Sequence, residues 1–481
     1  MNLPTPNGKK LPPRDLPAGK SLLGEAPWLL WLRRFFASAW CLAAQFALAA
    51  LAVVFHVEPA GMIALVVLFF MPQMVLCDDI LLPFAPALLA CLIMIKSSEN
   101  PAFASTDDAL VKEFSSLAWL VALPIGAIAA HVAIYRRPLV WGRAAWAILS
   151  VSVATTIGGI GAISAKEYFA GGALYHTGLL GFGMLLLYVW LSGAVAEDRD
   201  GRLERFIHNL MLALGLLASF MVFHQYLSNL PRLMQKPELL AFQWRNNVST
   251  FLMLALPFPF YKAFRQPLFL LTGLTMYLAL LLSGSRGGML FGTIELIMCV
   301  LFVLLADKKR RLIYLGAVVV VAAAIVLCLP LLIPFFRPVI ARFLHSVFNG
   351  EQEVRLQLYK RAVQDFLAHP MFGTGLGWTA NRDLHPSKEF ALCWYHNAPL
   401  QIIGSLGIAG AAAYIYQYIV RVKIFLRRRA TKFRLTLFLA WVGLEMMSLV
   451  NPGVFAPVPY LMILTILVVV AEKTEKTAPH L

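Results

Sequence analysis

Long apolar runs alternate with short polar segments along almost the whole chain. Each run covers about 17 to 23 residues, and a helix of that length spans roughly 30 Å of hydrocarbon. The pattern therefore predicts an all-α polytopic membrane protein with about 12 to 14 transmembrane helices. The candidate spans are residues 35–56, 60–77, 80–95, 115–135, 141–163, 172–194, 207–228, 248–264, 267–283, 288–306, 312–335, 398–420, 435–450 and 457–472.

Basic residues in the short loops predict the orientation of these spans. With a cytoplasmic N-terminus, alternation of the spans places every strongly basic short loop on the cytoplasmic side, as the positive-inside rule requires. Those loops contain Arg136, Arg137 and Arg143; Arg199, Arg202 and Arg205; Lys262 and Arg265; Lys308 to Arg311; and the run from Arg421 to Arg434. The agreement between separate loops supports both the orientation and the span count.

The longer polar segments then fall on the extracytoplasmic side, and the largest of them is residues 336–397. Loops of this length are usually functional, so the functional face is expected to be extracytoplasmic. The predicted organisation is a disordered cytoplasmic tail (1–34), a transmembrane bundle (35–335), the large loop (336–397), C-terminal transmembrane helices (398–472) and a cytoplasmic tail (473–481).

Composition agrees with a membrane protein, since 60% of the residues are hydrophobic and only 14% are charged, against about a quarter in soluble domains. The net charge of +16 is concentrated in the short loops, so it indicates membrane topology and not a nucleic-acid partner. The six cysteines form no CxxC pair, and neither a disulfide framework nor a metal site is predicted.

The large loop contains an amphipathic helix followed by a glycine-rich segment. In "EVRLQLYKRAVQDFLAHP", residues 353–370, apolar positions such as Leu358 and Ala362 recur at helical spacing. The segment "HPMFGTGLGW", residues 369–378, permits a tight backbone turn, and its spacing is wrong for a dinucleotide-binding fingerprint. Gly404, Gly407 and Gly410 lie further on, and this spacing of small residues predicts close packing between membrane helices.

The segment "CWYHNAPLQ", residues 393–401, lies where the large loop meets an apolar run. Histidine accepts a proton near neutral pH, so His396 is a candidate general base. Equally, His396 could simply precede a helix whose N-cap is Asn397. The residues by themselves leave both interpretations open.

These segments, in this order, resemble the O-antigen ligase and O-antigen polymerase superfamily. The family pattern is R-x-x-x-(Y/W)-x-x-A, then H-P-x-x-G-x-G, then H-N-x-x-L-Q and G-x-x-G, and the similarity extends over roughly residues 240–420. "LLSGSRGGML" resembles the family's Ser-Arg-Gly segment, and "WRNNVSTFLMLALPF" its Asn-rich helix start. The matching residues are Arg355, Tyr359, Ala362, His369, Pro370, Gly373, Gly375, His396, Asn397, Leu400, Gln401, Gly407 and Gly410.

The resemblance implies a GT-C-like membrane glycosyltransferase that needs neither a metal nor another cofactor. Its donor would be a glycan on undecaprenyl pyrophosphate, and its acceptor either the lipid A-core, for a ligase, or another glycan, for a polymerase. Such an enzyme is embedded in the lipid of the bacterial inner membrane, with its active face in the periplasm.

The resemblance also implies roles for individual residues. His396 would be the catalytic base, with Asn397, Asn247 and Gln401 in support. Arg286, Arg245 and Arg355 would bind the pyrophosphate, because guanidinium groups bind phosphate through a fixed pair of donors. Arg286 could instead anchor its helix at the interface or pair with Glu295, and Arg355 could form a surface salt bridge.

Several acidic residues lie in or beside the predicted spans. Asp78 and Asp79 are interpreted as loop residues, whereas Glu295 and Glu445 lie inside predicted spans, where a carboxylate is costly unless it pairs with an arginine.

A transporter or flippase of lipid-linked sugars is an alternative function, although no internal repeat of the kind that transporters show is visible in the sequence. A third class, the peptidoglycan-polymerising glycosyltransferases, has an acidic motif that is not apparent in the large loop.

Overall fold

A computed structural model describes most of the chain. The described residues are 26–97, 118–169, 177–198, 200–235, 240, 244–316, 351–376, 395–427, 431–451, 453–455 and 457–474, with a few single positions between 319 and 341. The regular secondary structure in these ranges is helical, as predicted.

Nineteen α-helices, labelled here in chain order, make up the described structure. They are α1 (Pro27–Phe36), α2 (Ala39–Val54), α3 (Glu58–Leu65), α4 (Met71–Leu76), α5 (Phe84–Ser97), α6 (Ala118–Tyr135), α7 (Ala145–Ile157), α8 (Ala165–Tyr168), α9 (Met184–Ala194), α10 (Arg202–Ser228), α11 (Leu230–Gln235), α12 (Arg245–Ala255), α13 (Pro257–Ala263), α14 (Phe269–Leu282), α15 (Arg286–Ala306), α16 (Glu351–Ala368), α17 (Ala398–Phe425), α18 (Lys432–Ser448) and α19 (Met462–Lys473). π-Helical turns precede α4, α9 and α19, and a 3₁₀ turn follows α18.

The predicted spans coincide with described helices, except that residues 312–335 lie largely outside the described residues. Judged by length and composition, four continuous helical segments within the described ranges are long enough to cross a membrane, and the bent pair α1 and α2 makes a fifth. The four are Glu58–Leu76, Arg202–Ser228, Arg286–Ala306 and Ala398–Phe425. Shorter apolar helices occupy several other predicted spans. The all-α membrane architecture is therefore confirmed, while the count of 12 to 14 spans stays a prediction.

Ion pairs and ring contacts bring the basic loop residues together at one end of the bundle. Arg137 pairs with Asp78, and Arg202 lies 3.2 Å from Asp79. Arg310 donates to the backbone oxygen of Phe264 at 2.5 Å, and the ammonium group of Lys432 lies 4.2 Å from the centre of the Phe264 ring. Asp78 and Asp79 are thus loop residues that neutralise arginines at this end.

The two carboxylates inside predicted spans differ in their partners. Glu445 on α18 accepts from Arg421, Trp441 and Tyr418 at 3.4, 2.7 and 3.1 Å, so the expected pairing with an arginine is confirmed for this residue. Glu295 on α15 is fully buried against Gly443, and neither oxygen has a hydrogen-bond partner among the described residues.

An ion pair between Glu295 and Arg286 is therefore not formed, and this alternative from the sequence was wrong. The two residues are nine positions apart on α15, which is about 13 Å along a helix. An arginine side chain at Arg286 cannot cover that distance to reach the face of the helix that packs on Gly443.

Candidate functional site

Helix α17 is broken about a third of the way along, at Gly407, and the glycine-rich segment fills the break. Gly407 has φ +62° and ψ −155°, which interrupts the helical hydrogen bonds. The N–H groups of Ile408 and Ala409 donate to the backbone oxygens of Pro370 and Met371 at 2.8 and 3.1 Å. On the other side of the break, the N–H groups of Thr374 and Gly375 donate to the oxygens of Gly404 and Ser405 at 2.9 and 2.8 Å. Residues 370–375 thus satisfy backbone groups that a break would otherwise leave unpaired in an apolar environment.

This contact requires glycine because two backbones lie directly against each other. Gly373 has φ +63°, and a Cβ atom there would collide with the peptide between Ser405 and Leu406. A Cβ atom on Gly407 would meet the backbone of Pro370 and Met371. Close helix packing at Gly407 was expected from the sequence, but the structure shows instead a helix break with an inserted segment.

The His396 turn lies immediately before α17. His396 itself has φ +53°, and its side chain is half-buried. Asn397 is the N-cap of α17, since its Oδ1 accepts from the N–H of Leu400 at 3.0 Å. Gln401, which is 2% exposed, accepts from the N–H of Tyr395 at 2.8 Å through Oε1. The cap function predicted for Asn397 is confirmed, and Gln401 holds the residue before His396.

The loop helix α16 docks on this turn through Tyr395. The Tyr395 ring is 2% exposed and packs with Leu358, Ala362 and Leu400. Arg355 is half-buried and lies one helical turn before Leu358, on the side of α16 that faces Tyr395. The predicted amphipathic helix is confirmed, and Arg355 lies on the face of it that packs against Tyr395, the residue before His396.

Arg245 and Arg286 are the first residues of two neighbouring helices, α12 and α15. The Ser285 hydroxyl donates to Asn246 Oδ1 at 2.8 Å, and the hydroxyls of Ser249 and Ser283 are 2.9 Å apart. Both bonds join the start of α12 to the turn that precedes α15. The two arginines therefore begin adjacent helices whose N-terminal N–H groups carry a partial positive charge.

The segment that follows α18, from Leu449 to Tyr460, connects the two arginine-bearing helices α12 and α15 to the His396 turn. Asn397 Nδ2 donates to the backbone oxygen of Leu449 at 3.1 Å. The next residue, Val450, packs so tightly on Gly287 that a Cβ atom on that glycine would collide with it. Asn247 accepts from the Tyr460 hydroxyl at 3.0 Å through its backbone oxygen, and its side chain is exposed. The chain that follows α18 thus contacts all three groups.

Every predicted site residue therefore belongs to one end of the bundle, opposite the basic loops. Sequence reasoning missed the residues that hold the site together, which are Asn246, Ser283, Ser285, Asp365, Tyr395 and Leu449. Only Ser285 had a local signal, as the N-cap of α15 that accepts from the Gly288 N–H at 3.1 Å. Among the described residues, no three His, Cys, Asp or Glu side chains form a group that could hold a metal ion.

A comparison with protein families shows what this region resembles. Residues 271–415 match a family model described as O-antigen ligase. Residues 271–415 are an O-antigen ligase-like domain. The match begins within α14 and ends within α17, so this domain contains Arg286, Arg355, His396, Asn397 and Gln401.

The O-antigen ligase domain covers somewhat less than a third of the chain, and Arg245 and Asn247 precede it. A search of curated proteins finds no match to the chain. Similarity to this family supports a ligase-like or polymerase-like membrane enzyme of the glycosyltransferase kind, acting on a lipid-linked glycan and an acceptor.

Proposed function

We propose that this protein is an O-antigen ligase of the bacterial inner membrane. It transfers a glycan from undecaprenyl pyrophosphate to a hydroxyl group of the lipid A-core, on the periplasmic face. The observation that carries the proposal is that Asn397, next to His396, and the start of α15, which bears Arg286, both contact the residues at the end of α18, while the start of α12 is bonded to the turn before α15. On this proposal, the proton acceptor and the phosphate-binding residues lie at the same end of a membrane bundle.

In the proposed reaction, His396 acts on the acceptor. The imidazole takes the proton of the acceptor hydroxyl while that oxygen attacks the anomeric carbon of the glycan. The bond between the anomeric carbon and the pyrophosphate oxygen breaks, and its electron pair leaves with the pyrophosphate. A single displacement of this kind inverts the configuration at the anomeric carbon.

The arginines act on the leaving group. Negative charge grows on the pyrophosphate as the glycosidic bond breaks, and fixed positive groups placed beforehand stabilise it most effectively. Arg286 and Arg245 each begin a helix, so their guanidinium groups add to the partial positive charge of the N-terminal N–H groups. Arg355 extends this charge from the loop helix, and all three arginines stay ionised at any physiological pH.

Two experiments test the proposal at different levels. In a deletion strain, a ligase defect leaves finished polymer on the lipid carrier, whereas a polymerase defect leaves single repeats attached to lipid A-core. The purified full-length protein, given undecaprenyl pyrophosphate-linked glycan and lipid A-core extracted from its source, is expected to join the two. Single capped repeats in the deletion strain would replace the ligase assignment with that of a polymerase. Movement of the donor across the membrane without transfer would favour a flippase.

Substitution of Arg286 is expected to weaken transfer without unfolding the protein. Arg286→Ala should lower kcat/KM by about 10- to 100-fold, since hydrogen bonds to charged groups contribute about 1.5–3 kcal/mol and Arg245 and Arg355 still carry part of the charge. Arg286→Lys should lose less, because it keeps the charge but not the planar pair of donors. Initial transfer rates with the extracted donor measure both variants.

A matched control for Arg286 lies just past the other end of α15. Arg311 is exposed, and Arg311→Ala removes the same charge from the basic end of the bundle. Its transfer rate should equal that of the unaltered enzyme. Equal rates for Arg286→Ala and Arg311→Ala would show that Arg286 does not bind the leaving group.

A further inference from the structure

The backbone conformation of His396 makes its side-chain direction depend on neighbouring residues. A φ of +53° lies in the left-handed region, which residues with a Cβ atom adopt uncommonly. Such a conformation persists only where the surrounding structure fixes it. On one side of His396, Asn397 is fixed by its two hydrogen bonds to Leu400 and Leu449. On the other side, Tyr395 is the residue that must be held.

Tyr395 is held at both its backbone and its side chain. Its N–H donates to Gln401 Oε1 at 2.8 Å, and its hydroxyl donates to Asp365 Oδ2 at 2.6 Å. Gln401 in turn donates to the Ser405 hydroxyl at 2.7 Å, next to the break in α17. The ring packs so closely on Gly404 that a Cβ atom there would lie 2.7 Å from Tyr395 Cε2. Tyr395 therefore has little freedom to move while Asp365 stays in place.

Asp365 belongs to the loop helix and not to the turn. It is 4% exposed, and its other oxygen lies 2.9 Å from Arg361 Nε in an ion pair within α16. A buried carboxylate whose two oxygens both interact with protein groups is unusual in a connecting loop, because the free-energy cost of its desolvation must be offset by those interactions. The same helix carries Arg355, ten residues earlier. The bond between Asp365 and Tyr395 thus ties the helix of a candidate pyrophosphate-binding residue to the turn of the candidate base.

We propose that Asp365 and Tyr395 are positioning residues, which hold His396 in register with Arg355 during transfer. This inference rests on the proposed function, because it takes His396 as the base and Arg355 as a pyrophosphate-binding residue. It assigns neither Asp365 nor Tyr395 a contact with substrate. Loss of the bond lets the turn relax, and displacement of a catalytic group by about 1 Å can cost up to a hundredfold in rate. Binding of the donor, which depends on the arginines, is left largely intact.

The experiment separates kcat from KM in the purified full-length enzyme. The probe is undecaprenyl pyrophosphate-linked glycan, with lipid A-core from the same source as acceptor. Tyr395→Phe removes only the hydroxyl and keeps the ring, so the fold should be preserved. It is expected to lower kcat about 10-fold and to change KM for the donor less than about twofold. Tyr416→Phe, at an exposed tyrosine on helix α17, is the matched control and should change neither constant.

Substitutions of Asp365 show whether the two residues act together. Asp365→Ala should lower kcat about as much as Tyr395→Phe, and the double variant should lose no more than either alone, since both remove one bond. Asp365→Asn keeps an oxygen that can accept from the tyrosine and should restore most of the rate. Additive losses in the double variant, or a kcat for Tyr395→Phe equal to that of the unaltered enzyme, would overturn the inference.

A variant of His396 distinguishes failure of this inference from failure of the proposed function. If His396→Asn is inactive and Tyr395→Phe keeps its full rate, the positioning role is wrong and the base survives. If His396→Asn keeps the rate of the unaltered enzyme, the catalytic role of His396 itself is wrong. A melting temperature in detergent is recorded for each variant, and a loss of rate that parallels a loss of stability would also count against positioning.

Discussion

Replacing His396 with alanine is expected to lower the rate of glycan transfer by about 10²- to 10⁴-fold, the usual contribution of a general base. The acceptor hydroxyl would have to lose its proton to water, while the arginines at the starts of α12 and α15 remain in place to bind the donor. The loss should therefore fall on kcat and leave binding of the donor nearly unchanged. Initial rates with the purified enzyme and extracted substrates measure the effect.

The backbone at His396 calls for variants that separate chemistry from conformation. Asparagine and glycine both accept a positive φ more readily than alanine does, yet neither can act as a base. His396→Asn and His396→Gly should therefore fold at least as well as the alanine variant and be equally inactive. A rate within threefold of the unaltered enzyme for His396→Asn would exclude the catalytic role.

His56 offers a control that matches the conformation of His396. It also has a positive φ, +56°, it also lies shortly before a helix, and its side chain is exposed. His56→Ala imposes the same change of residue at a similar backbone angle, outside the O-antigen ligase domain. The transfer rate of this variant should be unchanged, so any loss at His396 can be assigned to the imidazole.

Replacing Gly373 with alanine is expected to destabilise the fold by about 2–5 kcal/mol. Roughly 1–2 kcal/mol comes from the left-handed backbone, and about 1–3 kcal/mol comes from forcing an atom into a filled space. The colliding atoms belong to the peptide between Ser405 and Leu406, and a backbone in a helix cannot move aside as a flexible side chain can. The yield of folded protein and its melting temperature in detergent should both fall sharply.

The variant Gly161→Ala separates the conformational from the steric contribution to the destabilisation expected for Gly373→Ala. Its φ is +82°, and a Cβ atom there would have nothing within 4 Å. Gly161→Ala thus carries the conformational cost alone, and its melting temperature should fall by much less than that of Gly373→Ala. Equal falls would show that the close approach between residues 370–375 and α17 contributes nothing to stability.

The positions of the helices were predictable because hydropathy is a local property of the chain. Each described transmembrane helix overlaps a predicted span, and the differences are at the ends. Helix α10 begins at Arg202 and not at residue 207, and α17 continues to Phe425 and not to residue 420. In both cases the helix continues beyond the apolar run into a segment that contains arginines, where hydropathy no longer marks the boundary.

The candidate site was predictable in part, for a similar reason. Asn397 precedes an Ala-Pro pair at the start of an apolar run, so its cap is a local pattern. The contact between Tyr395 and Asp365 joins residues thirty positions apart, and the bond between Asn246 and Ser285 joins residues thirty-nine positions apart. No spacing along the sequence indicates such pairs, because they depend on how helices pack.

The break at Gly407 shows most clearly what local patterns miss. Glycines three residues apart predict a continuous helix that packs closely on a neighbour. A break is stable here only because residues 370–375 arrive from outside the helix and satisfy its free N–H and C=O groups. The same glycine spacing is therefore compatible with both structures, and the partner segment decides between them.

The glycine-rich segment and the His396 turn both dock on the N-terminal part of α17, and this has a consequence for what fixes the position of His396. The N–H of Gly375 is bonded to Ser405, and that of Tyr395 to Gln401, so the chain leaves and returns at points one helical turn apart. Leu376 and Tyr395 are thus each held close to α17 by their neighbouring contacts. We therefore expect the position of His396 to be set by these contacts with α17, and not by the number of residues between Leu376 and Tyr395.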